Sequence, residues 1–424
     1  MSNLLKLFDF VKQTTALGQI NGFLGWDQET MMPKGSIEQR AQWMGHLSAT
    51  LHERKIDPRI GEWLASIDYE NLTEFESSQI RHIERDYNRA LKIPIDFASS
   101  LAITTSKSQG VWAEARSKDD FSIFLPMLEN VINFKRQEAR LLSSTTLYDS
   151  LLNDFEPEMN SQDLESIFDR MRPRLIAIRE KALISDEVPK VIGMFPKKLQ
   201  LQLSRKLALA FGYDFDRGRL DLAVHPFSSG SGNDVRITTR VSEKDPFNCL
   251  YSTIHEVGHA TYEQNINRDF LFTPLGSGVS MGVHESQSRI YENQIGRSRA
   301  FTKFLHREML GLFGDFGYPV DNASNGVLQD VHWSVGLFGY FPTYSLGNIY
   351  AGCLNKAMRA DLPNLDNAFE HGNVNDATDW LKENVQKYGG LRKPEATISH
   401  AVGVEPDEEP LLQYLEEKFG DINS

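Results

Sequence analysis

Cysteine is almost absent from this chain of 424 residues, which contains only Cys249 and Cys353. So few cysteines exclude a disulfide-rich scaffold and are typical of a protein kept in a reducing compartment. The sequence also lacks any stretch approaching the roughly 20 apolar residues that a membrane-spanning helix needs. Near the N-terminus, Lys6, Asp9 and Lys12 interrupt the apolar residues, so no signal peptide is visible. We therefore expect a cytoplasmic protein with no membrane partner.

Basic residues are fewer than acidic ones. The chain has 45 Lys and Arg residues against 58 Asp and Glu residues, for a net charge of -13. Because nucleic acids and anionic membranes are bound by basic surfaces, this balance argues against both as partners. Length alone would favour two or three domains. The sequence has no linker rich in Gly, Ser or Pro and no internal repeat, so it predicts one domain covering residues 1–424.

The first half of the sequence predicts a mainly α-helical fold. Apolar residues recur at helical spacing in segments 36–53, 73–91, 121–142, 164–182 and 198–210. In the second of these, Thr73 and Glu76 have the spacing of a capping box, and Pro94 follows the predicted end. The segment from Gly25 to Pro33 is expected to be a loop that connects two helices, with Trp26 exposed.

The sequence pattern changes after Phe215, where glycines and turn residues become frequent. Residues 235–241 alternate in character and are rich in β-branched side chains, which predicts a short strand in a small β-sheet. Two uses of this sheet are open at this point. An edge strand beside an active site can hold an extended peptide by main-chain hydrogen bonds, whereas a plain hairpin would only cover the helix that follows.

The pentapeptide HEVGH, from His255 to His259, is the most informative motif. Asp245 and Pro246 have the character of an N-cap and a first helical residue, so a helix is predicted to begin there. Residues four apart share one face of a helix, so one metal ion can bind both imidazoles. Glu256 then lies beside the ion, where a general base belongs. Two structural histidines that flank a glutamate are the alternative.

A third metal ligand is expected from the next helix. Val283–Ile295 is predicted to be helical, and Gly296 marks its end. Within it, Glu285 lies 26 residues after His259. A carboxylate from a following helix suits a catalytic zinc, which takes three protein ligands and leaves one position for water. Glu285 and the HEVGH motif therefore predict a hydrolytic centre in which Glu256 takes a proton from the water, as amide hydrolysis requires.

Seven ordered motifs give the sequence a resemblance to a known family. They are LGWDQETMMP at 24–33, HPF at 225–227, DVRIT at 234–238, HEVGH at 255–259, HES at 284–286, GVLQDVHW at 326–333 and GYFPTY at 339–344. With these motifs spread over most of the chain, the sequence resembles the thermostable carboxypeptidase Taq family of zinc metallocarboxypeptidases.

The resemblance implies a mostly helical, saddle-like homodimer with a long groove for extended peptides, and the small β-sheet predicted above would lie next to the HExxH helix. It implies one zinc ion per subunit, with cobalt as an alternative, and removal of single residues from a free C-terminus with broad preference.

The metal ligands would be His255, His259 and Glu285, with Glu256 as base. The resemblance also suggests His225 and Arg236 at the closed end of the groove, where the substrate's C-terminal carboxylate is recognised. Two further residues, Tyr340 and Tyr344, could donate a hydrogen bond to the developing oxyanion.

The chain departs from the family in one place. Members carry an IRxxAD motif between the HES helix and the GxxQDxHW motif, whose arginine is thought to help hold the substrate's carboxylate. This sequence has no such motif and is shorter near residues 315–325. Two alternatives to a strict carboxypeptidase therefore stay open. One is a metallopeptidase without strict C-terminal dependence, and the other is a weak or inactive relative that binds peptides or proteins.

Overall fold

A computed structural model of the chain describes residues 2–142, 146–184, 193–313, 332 and 334–420. The described residues are mainly helical, as predicted. The α-helices are α1 (Asn3–Thr30), α2 (Ile37–Lys55), α3 (Pro58–Ala65), α4 (Glu74–Ala90), α5 (Ile95–Lys118), α6 (Phe121–Leu142), α7 (Leu147–Leu152), α8 (Ser161–Ile184), α9 (Lys197–Ala210), α10 (Pro246–Asn265), α11 (Met281–Arg289), α12 (Arg299–Phe313), α13 (Pro342–Asp361), α14 (Leu365–Glu370), α15 (Asn375–Asn384), α16 (Pro394–Val402) and α17 (Glu409–Gly420). The strands are β1 (Leu220–Leu222), β2 (Ser228–Ser231) and β3 (Asp234–Thr239), and a π-helical segment, Ile290–Gly296, continues α11.

Helix α10 carries the HEVGH motif and lies within the largest hydrophobic core. Asp245 caps this helix by accepting hydrogen bonds from two backbone N–H groups, and Pro246 is its first residue, as predicted. Fully buried side chains such as Ile254 and Val257 anchor α10 in that core. Because most of its faces are covered, α10 is a rigid support for the side chains that it presents.

The small sheet lies against α10. Strand β3 is the central strand, parallel to β1 and antiparallel to β2, and it confirms the predicted strand. Val235 and Ile237 are fully buried, and the Thr239 hydroxyl donates a hydrogen bond of 3.0 Å to the Cys249 carbonyl of α10. Both sides of β3 are paired, so among the described strands only β1 and β2 have an open edge that a peptide could join.

Two glycines let α11 approach its neighbouring helices closely. A Cβ atom at Gly258 of α10 would lie 2.6 Å from the Gln287 carbonyl oxygen, and one at Gly347 of α13 would lie 2.6 Å from the Glu285 Cβ. Such contacts are shorter than side chains tolerate, so glycine is required at both positions. The close packing brings Glu285 towards the HEVGH face of α10.

The prediction of a connecting loop at residues 25–33 is wrong for most of that segment. Helix α1 continues to Thr30, and Trp26 is 4% exposed instead of lying on the surface. The rings of Phe23 and Trp26 stack at 5.9 Å, and the Arg236 guanidinium of β3 lies 4.1 Å from the centre of the Trp26 ring. This tertiary packing outweighs the low helix propensity of Gly25.

The other helix predictions are confirmed, with ends that differ by a few residues. Thr73 and Glu76 form the predicted capping box of α4. The GVLQDVHW motif at 326–333, apart from His332, and the shortened stretch near 315–325 lie outside the described residues. Within the described part of the chain, no helix combines the length and the hydropathy needed to cross a membrane. The single-domain assignment stays a prediction.

Candidate metal centre and active site

Helices α10 and α11 bring three metal-ligand side chains together. His255 and His259 project from one face of α10, and Glu285 projects towards them from α11. The Glu285 Oε1 atom lies 3.9 Å from His255 Nε2, and its Oε2 atom lies 3.3 Å from His259 Nε2. One ligand atom from each residue lies within 4.8 Å of the others, and no second group of this kind occurs in the described residues.

The second nitrogen of each imidazole has a partner of its own. His255 Nδ1 lies 3.0 Å from Glu292 Oε2, a residue of the π-helical segment. His259 Nδ1 lies 2.7 Å from His284 Nδ1. Metal-binding histidines usually engage their non-ligating nitrogen in this way, which orients the ring and fixes its tautomer. Both Nε2 atoms are thereby directed towards Glu285.

The Glu285 carboxylate is buried and only partly satisfied. Its Oε1 atom accepts a hydrogen bond of 2.6 Å from Arg289 Nε. Its Oε2 atom is buried and has no hydrogen-bond partner among the described residues. A buried acceptor without a partner is costly unless a cation or a donor satisfies it. Two imidazoles and one carboxylate are donors of the type that zinc prefers, so the residues present fit a divalent ion.

Burial and mutual attraction shift the pKa values of this group in opposite directions. Burial alone would raise the pKa of Glu285, but His255, His259 and Arg289 outweigh it and lower the pKa to about 2. For His259 burial dominates and lowers the pKa to about 4. For His255 burial is outweighed by Glu285 and Glu292, so its pKa is raised. The site therefore contains a firmly ionised carboxylate beside a neutral imidazole, His259.

Glu256 follows His255 directly on α10 and does not belong to the three-ligand group. Its side chain is buried, and burial raises its pKa to about 7, with a smaller lowering by His255 and a further raising by Glu285. A carboxylate whose pKa lies near the operating pH is matched to accept and release a proton. Its burial and its raised pKa are compatible with proton transfer.

Aromatic side chains form one wall beside the metal group. Tyr344 lies with its hydroxyl 2.8 Å from His332 Nε2 and with its ring 5.3 Å from the Arg289 guanidinium. The rings of Tyr340 and His332 stack at 5.1 Å, and the His225 ring lies 5.8 Å from that of His332. Burial, reinforced by the acids of the site, raises the pKa of Tyr340, so its phenol stays protonated and able to donate. Three predicted site residues thus meet around His332.

Arg236 lies in a different environment. Its guanidinium makes a two-pronged ion pair with Asp234, with distances of 2.7 and 2.8 Å, and stacks on Trp26 and Phe23. It lines a cavity of about 920 Å³ between α1, the sheet and the loop before α11, whose described lining includes no member of the metal group. Arg236 therefore forms an ion pair with its neighbour on the same strand, Asp234, within the fold.

Sequence reasoning missed the residues that support the ligands. Arg289 and Glu292 follow Glu285 by four and seven residues, the spacing of one helix face, so a search for polar partners at those positions could have found them. His284 was visible only as part of the HES motif. The contact of Glu263 with His284 depends on how α10 and α11 pack, and no local signal reveals it.

The fold and the site together define a class of protein. Two histidines one helical turn apart, a carboxylate from the following helix and a buried glutamate beside them form the arrangement of an HExxH metallopeptidase. The comparisons with known proteins specify the family.

A model of the carboxypeptidase Taq (M32) metallopeptidase family matches residues 6–318 and 311–419, and the chain belongs to this family. The protein is a metallocarboxypeptidase, a peptide hydrolase that depends on a metal. The match in two segments covers nearly the whole chain, so the family assignment does not rest on the HEVGH motif alone.

Individual relatives agree with the family assignment. The chain is 33% identical to thermostable carboxypeptidase 1 of Thermus thermophilus, with 97% of each chain covered, and 32% identical to carboxypeptidase 1 of Bacillus subtilis, with 98% of each covered. Metallocarboxypeptidase 1 of Trypanosoma cruzi has a similar structure, with a TM-score of 0.88, 28% identity and 99% of each chain covered. The alignment with the Thermus protein spans 497 positions, more than the 424 residues of this chain, so it contains gaps opposite residues of the relative.

Proposed function

We propose that the protein is a zinc-dependent carboxypeptidase that removes single residues of many kinds from the free C-terminus of peptides. His255, His259 and Glu285 would hold the ion. The observation that carries this proposal is the buried Glu285 Oε2 atom, which has no hydrogen-bond partner among the described residues and lies 3.3 Å from His259 Nε2. A divalent cation supplies the missing partner and accepts both imidazoles as well. Cobalt has the same ligand preferences and is the alternative metal.

When bound, the ion polarises the scissile carbonyl and makes a water molecule more acidic. Glu256 accepts the proton of that water and passes it to the amine of the leaving residue. Its pKa of about 7 supports both halves of this transfer. Tyr340 and Tyr344 are proposed to donate a hydrogen bond to the oxygen that becomes negative. Their support is their location beside His332 and Arg289, next to the ligand Glu285.

Recognition of the substrate's tail is assigned to His225 and Arg236. Guanidinium binds carboxylate in a two-pronged way, which suits Arg236 for this purpose. In the described structure Asp234 takes both prongs, so a substrate carboxylate has to displace Asp234 or share the guanidinium. Asp234 is exposed and can move aside without leaving a buried charge unpaired.

A second candidate function keeps the same chemistry but not the strict dependence on a free C-terminus. The occupied Arg236 and the absence of the family's IRxxAD arginine favour it. A weak or inactive relative that binds peptides is a further alternative, which the complete set of His255, His259, Glu285 and Glu256 argues against. A homodimer of single-domain subunits in the cytoplasm completes the proposal, and sedimentation equilibrium tests the dimer.

One assay separates these functions. Metal-loaded protein is supplied with a peptide that has a free C-terminus and with its C-terminal amide. Cleavage of the free form alone supports the carboxypeptidase, equal cleavage of both supports the second candidate, and no cleavage by fully loaded protein supports the inactive relative. Glu256→Gln should keep the metal and lose activity by about 10²- to 10⁴-fold, the contribution of a general base. An active variant would show that Glu256 is not the base.

A further inference from the structure

Three side chains form a hydrogen-bonded chain behind the ligand His259. His284 Nε2 lies 3.0 Å from Glu263 Oε1, and His284 Nδ1 lies 2.7 Å from His259 Nδ1. A carboxylate can only accept, so His284 donates to Glu263 through its Nε2–H group. In a neutral imidazole the other nitrogen is then an acceptor, so His284 Nδ1 accepts a hydrogen bond from the Nδ1–H group of His259.

The direction of this chain determines which nitrogen of His259 is available. With its proton on Nδ1, His259 has a lone pair on Nε2, the atom 3.3 Å from Glu285 Oε2. We propose that Glu263 and His284 are positioning residues that fix the tautomer and orientation of His259 for metal binding. This inference rests on the metal ligands proposed above and assigns a role to two residues that do not touch the ion.

The surroundings of His284 hold it in place. Its ring lies 5.2 Å from that of Tyr262, and a Cβ atom at Gly278 would come within 2.6 Å of His284 Cδ2. Glu263 Oε1 also accepts a hydrogen bond of 2.9 Å from the Gly278 backbone N–H. The carboxylate is therefore fixed by the loop before α11 and in turn fixes His284. Because Glu263 belongs to α10 and His284 to α11, their hydrogen bond also links the two helices that carry the ligands.

The two ligand histidines are supported differently. His255 contacts a carboxylate directly, with Glu292 Oε2 at 3.0 Å from its Nδ1. His259 contacts a second imidazole, and its carboxylate, Glu263, lies one residue further away. A histidine that bonds to another histidine can exchange donor and acceptor roles with it, whereas one that faces a carboxylate cannot. Because Glu263 can only accept, it fixes His284 as its donor and thereby fixes which of the two histidines donates to the other.

The test replaces His284 and measures zinc affinity by competition with a chelator, on the full-length protein. His284→Leu removes the acceptor and should weaken zinc binding by about 10- to 100-fold, the usual effect of losing an outer-shell partner. His284→Gln can accept from His259 through its amide oxygen and donate to Glu263 through its amide nitrogen, so it should recover most of the affinity. The visible spectrum of the cobalt-loaded protein should change in the Leu variant and be restored in the Gln variant.

Two further variants separate positioning from general damage. Glu263→Leu keeps the His284 ring but frees its tautomer, so it should cause a smaller loss of zinc affinity in the same direction. His82→Phe is the control, because His82 of α4 donates from its Nε2 to the Gly390 carbonyl at 2.8 Å, a partly buried hydrogen bond that involves neither His284 nor Glu263. This variant should lower the melting temperature of the metal-free protein and leave zinc affinity unchanged.

Each result has a clear consequence. Zinc affinity of the His284→Leu variant equal to that of the wild type would overturn the inference, and so would equal losses in the Leu and Gln variants. If His82→Phe lost as much zinc affinity as His284→Leu at a similar fall in the melting temperature of the metal-free protein, the loss would follow from lower stability, and the inference would also be overturned. If the wild type itself bound no zinc, the proposed metal site would fail first and this inference with it.

Discussion

The charged side chains of Glu285 and Arg236 differ in whether the fold supplies all their partners. Around Glu285, three potential ligands converge, and the buried Oε2 atom has no hydrogen-bond partner among the described residues. Around Arg236, every strong interaction is made within the fold, with Asp234 on one side and Trp26 and Phe23 on the other. Glu285 therefore has an acceptor atom available for a cation, whereas Arg236 already has its partners within the fold.

The difference teaches how the same sequence signal can have two meanings. Motif resemblance predicts substrate or metal roles for Glu285 and for Arg236 alike. A buried acceptor without a partner raises the energy of the metal-free fold, and a cation relieves it. A guanidinium with a complete ion pair gains only the difference between its present partner and a new one. Variants of the two groups should therefore affect different properties, metal binding in one and stability or substrate affinity in the other.

The largest effect is expected from Glu285→Gln. The amide lacks the charge that balances the ion, so zinc affinity should fall by about 10³-fold, or about 4 kcal/mol, on the scale of breaking a buried charged pair. Asp234→Asn, the same kind of change in the other group, is the matched control and should leave zinc affinity unchanged. Competition with a chelator measures both, and wild-type affinity in Glu285→Gln would remove Glu285 from the ligand set.

Glu292→Gln should weaken zinc binding less, by about 10- to 100-fold. The amide can still contact His255 Nδ1, but it no longer attracts the ring's proton as a carboxylate does. Glu292 also pairs with Arg297 at 2.8 Å and, more loosely, with Arg289 at 3.5 Å, so Arg297→Gln serves as the control for losing the shorter ion pair. If zinc affinity fell equally in Glu292→Gln and Arg297→Gln, the loss would come from the Glu292–Arg297 ion pair and not from the contact of Glu292 with His255.

Glu29→Gln tests a half-buried carboxyl on α1, away from the metal group. Burial raises the pKa of Glu29 to about 7, with a smaller opposing effect of the hydrogen bond from Gln109. In the unfolded chain the carboxyl loses its proton near pH 4.5, so between about pH 4.5 and 7 rising pH favours unfolding of the wild type. Above pH 7 the variant should be more stable by on the order of 2 kcal/mol, and below pH 4 the two should match. Denaturant unfolding at both pH values measures this, and an equal difference at both would contradict the raised pKa.

Arg236→Gln should produce the smallest change in stability. Loss of two cation–π contacts and a partly exposed ion pair should lower the free energy of unfolding by about 1 kcal/mol. Zinc affinity should not change. If Arg236 also holds the substrate's tail, KM for a peptide with a free C-terminus should rise while kcat is largely kept, since binding is lost in ground and transition states alike. An unchanged KM would restrict Arg236 to the structural role.

Local signals predicted the parts of the site that depend on one helix. Asp245 and Pro246 marked the start of α10, and the spacing of His255 and His259 placed both rings on one face. Glu285 was predicted from its distance along the chain, and the packing of α11 brings it to that face. The two histidines need only helical geometry, whereas Glu285 also needs the close packing of α11.

The rest depends on tertiary packing that spacing does not encode. Trp26 was expected to be exposed, but β3 covers it through Arg236, which lies about two hundred residues away in the sequence. Glu263 and His284 meet where α10 and α11 pack closely, an approach that Gly258 permits. The π-helical turn that presents Glu292 to His255 has no sequence signature of its own. Contacts of this kind become visible only in three dimensions.

The central claim is that His255, His259 and Glu285 hold one divalent ion. Anomalous diffraction from crystals of the zinc-loaded protein, measured on both sides of the zinc absorption edge, tests it directly. We predict a single strong peak per chain, within about 2.0–2.2 Å of His255 Nε2, His259 Nε2 and a Glu285 carboxylate oxygen. Zinc-loaded, active protein whose peak lies elsewhere, or that shows no peak at this site, would contradict the account.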